Sequence, residues 1–215
     1  MALSKVNFNS LNVTPSASKF LAWDGDADAL AAADIGGALT LISTQTASSS
    51  SSLSFTSGID STYKEYVFKF INIHPATSNT HFQVNFRDGS TAFDATKTTT
   101  MFFARHREDD GGASLAYSAG EDLAQGTGYQ NLYFDTGANA SDESGSGTLH
   151  LFEPASTTFV KHFISTASSY GDTPREYNTF CAGYCNVTAA IDGVDFKMSS
   201  GNIDSGVIKM YGISK

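Results

Sequence analysis

The segment Ser57–Asp88, SGIDSTYKEYVFKFINIHPATSNTHFQVNFRD, limits the possible folds more than any other stretch. Tyr66, Phe68 and Phe70 share one parity, and side chains two apart lie on one face of a strand. Phe82, Val84 and Phe86 repeat the pattern, with His81, Gln83, Asn85 and Arg87 between them. Strict alternation marks a strand with one dry face and one wet face. Pro75 has no backbone donor, and the run Ala76-Thr77-Ser78-Asn79-Thr80 is polar, so a surface connection is expected between the strands. The expectation is two antiparallel neighbours at the centre of a β-sandwich.

The rest of the chain extends that pattern. Short apolar or alternating runs recur at ALTLIS (38–43), LSF (53–55), MFFAR (101–105), SLAY (114–117) and NLYF (131–134). Others follow at TLHLF (148–152), TFVKHFIS (158–165), TFCAGYCNV (179–187), VDFKM (194–198) and VIKMYGI (207–213). Turn residues separate them, and no strand–helix alternation of the parallel kind occurs. The fold class expected is all-β: an antiparallel, jelly-roll-like β-sandwich over residues 36–215. The serine run at 47–52 reads as a hairpin tip, and Ser118–Glu121 has the spacing of a capping box before one helical turn.

Residues 1–35 differ from this. Pro15 stops any strand, Phe20, Leu21 and Trp23 form a small apolar cluster, and Asp28–Asp34 (DALAAAD) fits about two helical turns. Such a segment is too small to fold alone. It is expected to be an N-terminal arm that anchors through Phe20, Leu21 and Trp23.

The formal net charge is −9, and Lys and Arg are scattered without a basic run. Such a chain repels phosphate backbones and anionic lipid, so neither nucleic acid nor membrane insertion is expected. No apolar run is long enough to span a bilayer, and the N-terminus lacks the apolar core of a signal peptide. Cys181 and Cys185 share a face of an extended strand about 13 Å apart, beyond disulfide reach without a bend at Gly183. Two core thiols are therefore expected.

Little in the sequence points to chemistry. Asp24-Gly25-Asp26-Ala27-Asp28 opens like a calcium loop, but Ala29 and Ile35 stand where that loop needs Gly and Glu. His74, His81, His106, His150 and His162 lack metal-ligand spacing. Asp109-Asp110 and Asp142-Glu143 are adjacent acids in loops, whereas glycoside cleavage needs one carboxylate on each side of the bond. No catalytic residue, metal or cofactor is expected. Tyr129, Tyr133, Tyr170 and Tyr177 lie in or beside polar, glycine-containing loops, where exposed rings could stack on sugars.

Three segments together carry a resemblance: SGIDSTYKEYVFKFINIHP (57–75), TTFVKHFIS (157–165) and IDGVDFKMSSGNIDSGVIKMYGIS (191–214). They resemble virion structural proteins of tailed bacteriophages, especially marine and cyanobacterial ones, of the tail-fibre kind. The resemblance runs from about Leu39 to the C-terminus. It implies a non-enzymatic protein of the virion, assembled in the host cytoplasm with other tail or capsid proteins. It also implies a homo-oligomer, and phage fibres are commonly trimers. Within that class the first expectation is a tail-fibre or receptor-binding component anchored by its N-terminal arm. The alternatives are a capsid decoration or head-fibre protein, and a lectin-like module that binds host surface glycan.

Overall fold

The computed structural model describes residues 19–23, 30–34, 39–137 and 140–213. The chain divides into two compact units, Met1–Ala38 and Leu39–Lys215. In the first, β1 (Lys19–Trp23) pairs antiparallel with β2 (Leu30–Asp34), placing Trp23 opposite Leu30 and Lys19 opposite Asp34. This corrects the helix expected over Asp28–Asp34. Its last five residues are strand, and Asp28 and Ala29 lie outside the described residues. A two-turn helix gains few hydrogen bonds for the residues it orders, whereas a paired strand satisfies its backbone against a neighbour.

The second unit contains twelve described strands. They are β3 (Leu39–Ser50), β4 (Leu53–Phe55), β5 (Glu65–Pro75), β6 (Thr80–Arg87), β7 (Lys97–Arg107) and β8 (Ala113–Tyr117). Then come β9 (Gln130–Thr136), β10 (Gly145–Phe152), β11 (Lys161–Tyr170), β12 (Arg175–Cys185), β13 (Gly193–Met198) and β14 (Ile203–Ile213). A large sheet has the order β3-β14-β5-β10-β11-β12-β7-β8, and a small one the order β4-β13-β6-β9. Their pairings are antiparallel. The fold is thus an all-β antiparallel sandwich, compatible with a jelly roll.

The pairing of β5 with β6 is not as the sequence suggested. The two strands belong to different sheets: β5 lies between β14 and β10, and β6 between β13 and β9. Each has one apolar face, and an arch that turns those faces toward each other buries both. Phe70 meets Phe82 at 5.2 Å between ring centroids, and Phe68 meets Phe196 of β13 at 5.5 Å. Phe163 of β11 meets Phe86 at 4.9 Å, and Phe103 of β7 meets Phe134 of β9 at 4.9 Å. Burying each such ring contributes about 1.5–3 kcal/mol.

Two smaller expectations also change. Most of the serine run belongs to β3, whose residues up to Ser50 pair with β14, so only Ser51 and Ser52 turn the chain. The predicted capped helical turn is a short 3₁₀ turn at Ala119–Glu121, and Ser118 makes no side-chain cap.

The inner face of the large sheet ends in an unusual rung. Lys97 and Lys161 both stand opposite Cys185 in register. All three are fully buried. The Lys97 ammonium donates to the Ala95 carbonyl (2.9 Å), and that of Lys161 to the Val187 carbonyl (2.7 Å). Two buried lysines thereby hold the loops at this end of the sandwich. Cys181 and Cys185 are free thiols, and burial pushes both up to about 12.

Candidate functional site

The four tyrosines chosen from sequence do not form one platform. Tyr133 is fully buried, stacked on Phe82 at 5.3 Å and packed against Phe70. Gly145 leaves room for its ring, since a Cβ there would lie 2.5 Å from the Tyr133 Cζ. Tyr177 is 3% exposed and packs against Phe103 and Phe134. Neither offers a ring to a sugar, which corrects both as glycan contacts. Their strand parity points them into the core, and a buried aromatic ring outweighs the preference of its hydroxyl for water.

Tyr129 is half-buried, and its hydroxyl donates to Asp195 Oδ2 at 2.8 Å. Burial raises its pKa well above the usual phenol range, reinforced by that carboxylate. The Lys197 ammonium lies 4.2 Å from the ring centroid, so one face of the ring is already occupied. Tyr170 is half-buried at the end of β11, with its pKa raised by desolvation and by Glu108. Phe20, Leu21 and Trp23 lie on β1, in the first unit.

The polar candidates disperse as well. His150 Nδ1 contacts Glu65 Oε1 at 2.6 Å, and Ile164 stands opposite it on the next strand. His162 instead faces Tyr184, ring edge to ring face, at 6.0 Å. Asp109 forms a two-point bond to Arg107, which, with the hydrogen bonds it accepts, holds its carboxyl far below the usual range. Asp110 contacts His106 at 3.1 Å instead. Glu143 is turned inward while Asp142 is exposed. Asp24–Asp28 lies outside the described residues. Among the described residues no three His, Cys, Asp or Glu side chains gather as a metal site would require.

The feature that sequence reasoning missed is the outer face of the large sheet. One row across it runs Tyr211, Val67, His150, Ile164, Ala182 and Thr100, each opposite the next in register. The next row ends in Phe180, Phe102 and Tyr117, and the first two stack at 4.9 Å and 9°. Ile164 is 50% exposed, Tyr117 62% and Leu115 75%. A shallow cavity of about 400 Å³ opens on this face between β7, β11 and β12. His162, Ile164 and Tyr184 line it together with Thr98 and Thr100, and Ala182 is small. Such a surface suits contact with an apolar or aromatic group.

A signal for this face was present in the sequence. Met101-Phe102-Phe103 and Phe163-Ile164 place apolar residues on both parities. A strand apolar on both faces needs cover on both.

Comparison with known proteins gives no further guide: the chain matches no protein-family model, no curated protein and no solved structure.

Proposed function

We propose that this chain is a non-enzymatic structural protein of a tailed-phage virion, acting as a tail-fibre or receptor-binding component. The observation that carries the reading is the apolar outer face of the large sheet, exposed at Ile164, Phe102, Leu115 and Tyr117. An assembling subunit has such a face for its neighbours, whereas a protein that works alone gains nothing by wetting it. The resemblance of residues 57–75, 157–165 and 191–214 to virion proteins supplies the kind of assembly. The separate unit Met1–Ala38 suits attachment to another virion protein, and the sandwich then faces outward.

Electron microscopy of particles carrying a gold-labelled tag on this protein tests the proposal. Label on the tail or baseplate is the expected result. Label spread over the head would replace the tail-fibre reading with a capsid decoration protein. Particles without label would overturn the virion reading altogether.

A further inference from the structure

The basic residues look scattered in the sequence, yet three arginines converge at one end of the sandwich. Arg105 and Arg107 lie on β7 and Arg175 begins β12. Arg175 stands directly opposite Arg107, and Arg105, opposite Tyr177, is the next residue on the same face. With Gly111, Gly112 and Ala113 they line a cavity of about 190 Å³. The two glycines and the alanine add little side-chain bulk to its lining.

The Arg105 guanidinium lies 6.0 Å from the Phe103 ring and that of Arg175 lies 5.8 Å from the Tyr177 ring. Both therefore cover the aromatic end of the core, which accounts for one cation over each ring. It does not account for the third arginine. Like charges directly opposite across a sheet are destabilising, so Arg107 facing Arg175 is unfavourable without an anion between them.

The protein's own acids meet that need only in part. Asp109 takes Arg107 through Nε–Oδ1 and Nη2–Oδ2 bonds of 2.9 and 2.7 Å. Asp110 turns to His106, and the Glu108 side chain bonds to Tyr170. Among the described residues neither Arg105 nor Arg175 forms an ion pair. Arg105 donates from Nε to Ser114 Oγ at 2.9 Å. Arg175 donates from Nε to the Thr173 carbonyl at 3.2 Å and from Nη1 to the Tyr177 hydroxyl at 3.3 Å. These bonds fix the two guanidinium planes and leave further N–H donors for a ligand. Planar guanidinium forks suit the paired oxygens of a carboxylate or phosphate.

We propose that Arg105, Arg107 and Arg175 form a binding site for an oxyanion group, a carboxylate or a phosphate, carried on a host surface polysaccharide. The polysaccharide as carrier rests on the receptor-binding reading above; the anion chemistry does not. The cavity is smaller than the usual site for a whole small molecule, so it takes one charged group of a larger ligand.

Calorimetric titration of the full chain at low ionic strength tests the site, with sodium glucuronate, sodium phosphate and neutral glucose as probes. The expected result is saturable binding of glucuronate or phosphate and none of glucose. Arg105→Gln and Arg175→Gln should each weaken it by about tenfold or more. Arg87→Gln, whose parent arginine pairs with Asp192 elsewhere, should not. Tighter glucuronate supports an acidic sugar as the source, and tighter phosphate supports a phosphorylated polymer. No saturable binding of either anion, or equal affinity in the variants, overturns the proposal. Should the variants unfold, the Arg105 and Arg175 Nε resonances of the unaltered protein give the answer, and their failure to shift with either anion overturns it too. Particles carrying Arg175→Gln that adsorb normally, alongside intact anion binding by the unaltered protein, would count against the receptor role and leave the site standing.

Discussion

At the scale of single residues, burial sets the chemistry. Burial lowers Lys97 from an ordinary lysine value to about 8, and the nearby Cys185 and Asp94 only partly offset this. Between about pH 8 and 10.5 the unfolded chain therefore holds a proton that the folded one has lost, and stability rises with pH. From about pH 8 the two buried thiols act in the opposite sense, because unfolding then frees them to ionise. The Lys97 share of this is a gain of about 1 kcal/mol in urea unfolding between about pH 7.5 and 9, which the thiols largely offset in the unaltered protein. Lys97→Met should remove that gain, and an equal pH dependence in the variant would show that another group titrates. The glycines at close approaches carry a different prediction. A Cβ at Gly147 would lie 2.4 Å from the Thr166 carbonyl and 2.7 Å from the Phe70 ring. Gly147→Ala should cost about 2–3 kcal/mol in thermal or urea unfolding. Tyr133→Ala should cost about 3–5 kcal/mol, because it removes a core ring rather than a sugar contact.

At the scale of elements, alternation identified which residues of each strand face inward but not which strand sits beside which. Tyr66, Phe68, Phe70, Phe82, Val84 and Phe86 are all buried, as their spacing required. Their strands nonetheless part into two sheets, because the connection between them folds as an arch and the apolar faces meet across the core. MFFAR and SLAY, by contrast, fall within β7 and β8, neighbours in the chain that do pair. β7, β11 and β12 also explain why the exposed apolar face is hard to read from the sequence. Phe102 and Ile164 look like core residues, and only the sheet order shows that their face has no second layer among the described residues. Ile164→Lys and Leu115→Lys should leave unfolding free energy within about 0.5 kcal/mol, since both side chains are at least half exposed. The same changes should reduce self-association in sedimentation velocity and incorporation into particles. Unchanged assembly would remove this face as the contact surface.

At the scale of the whole molecule, Met1–Ala38 and Leu39–Lys215 are separate units, so their roles can be separated by experiment. Removal of residues 1–38 should leave a folded sandwich, seen as unchanged cooperative unfolding, that no longer joins particles. Incorporation of the shortened chain at the normal level would refute anchoring by the first unit. The sequence by itself determined the all-β class, the twofold periodicity of the strands and the inward parity of most core rings. These follow from local chain geometry, since side chains alternate across any extended strand. Only the tertiary structure decided that β5 and β6 face each other, that Tyr133 and Tyr177 are core, and that Arg105, Arg107 and Arg175 meet. Those outcomes depend on pairing register between segments far apart in the chain. Register is set by how apolar faces and arches fit together, which no local pattern encodes.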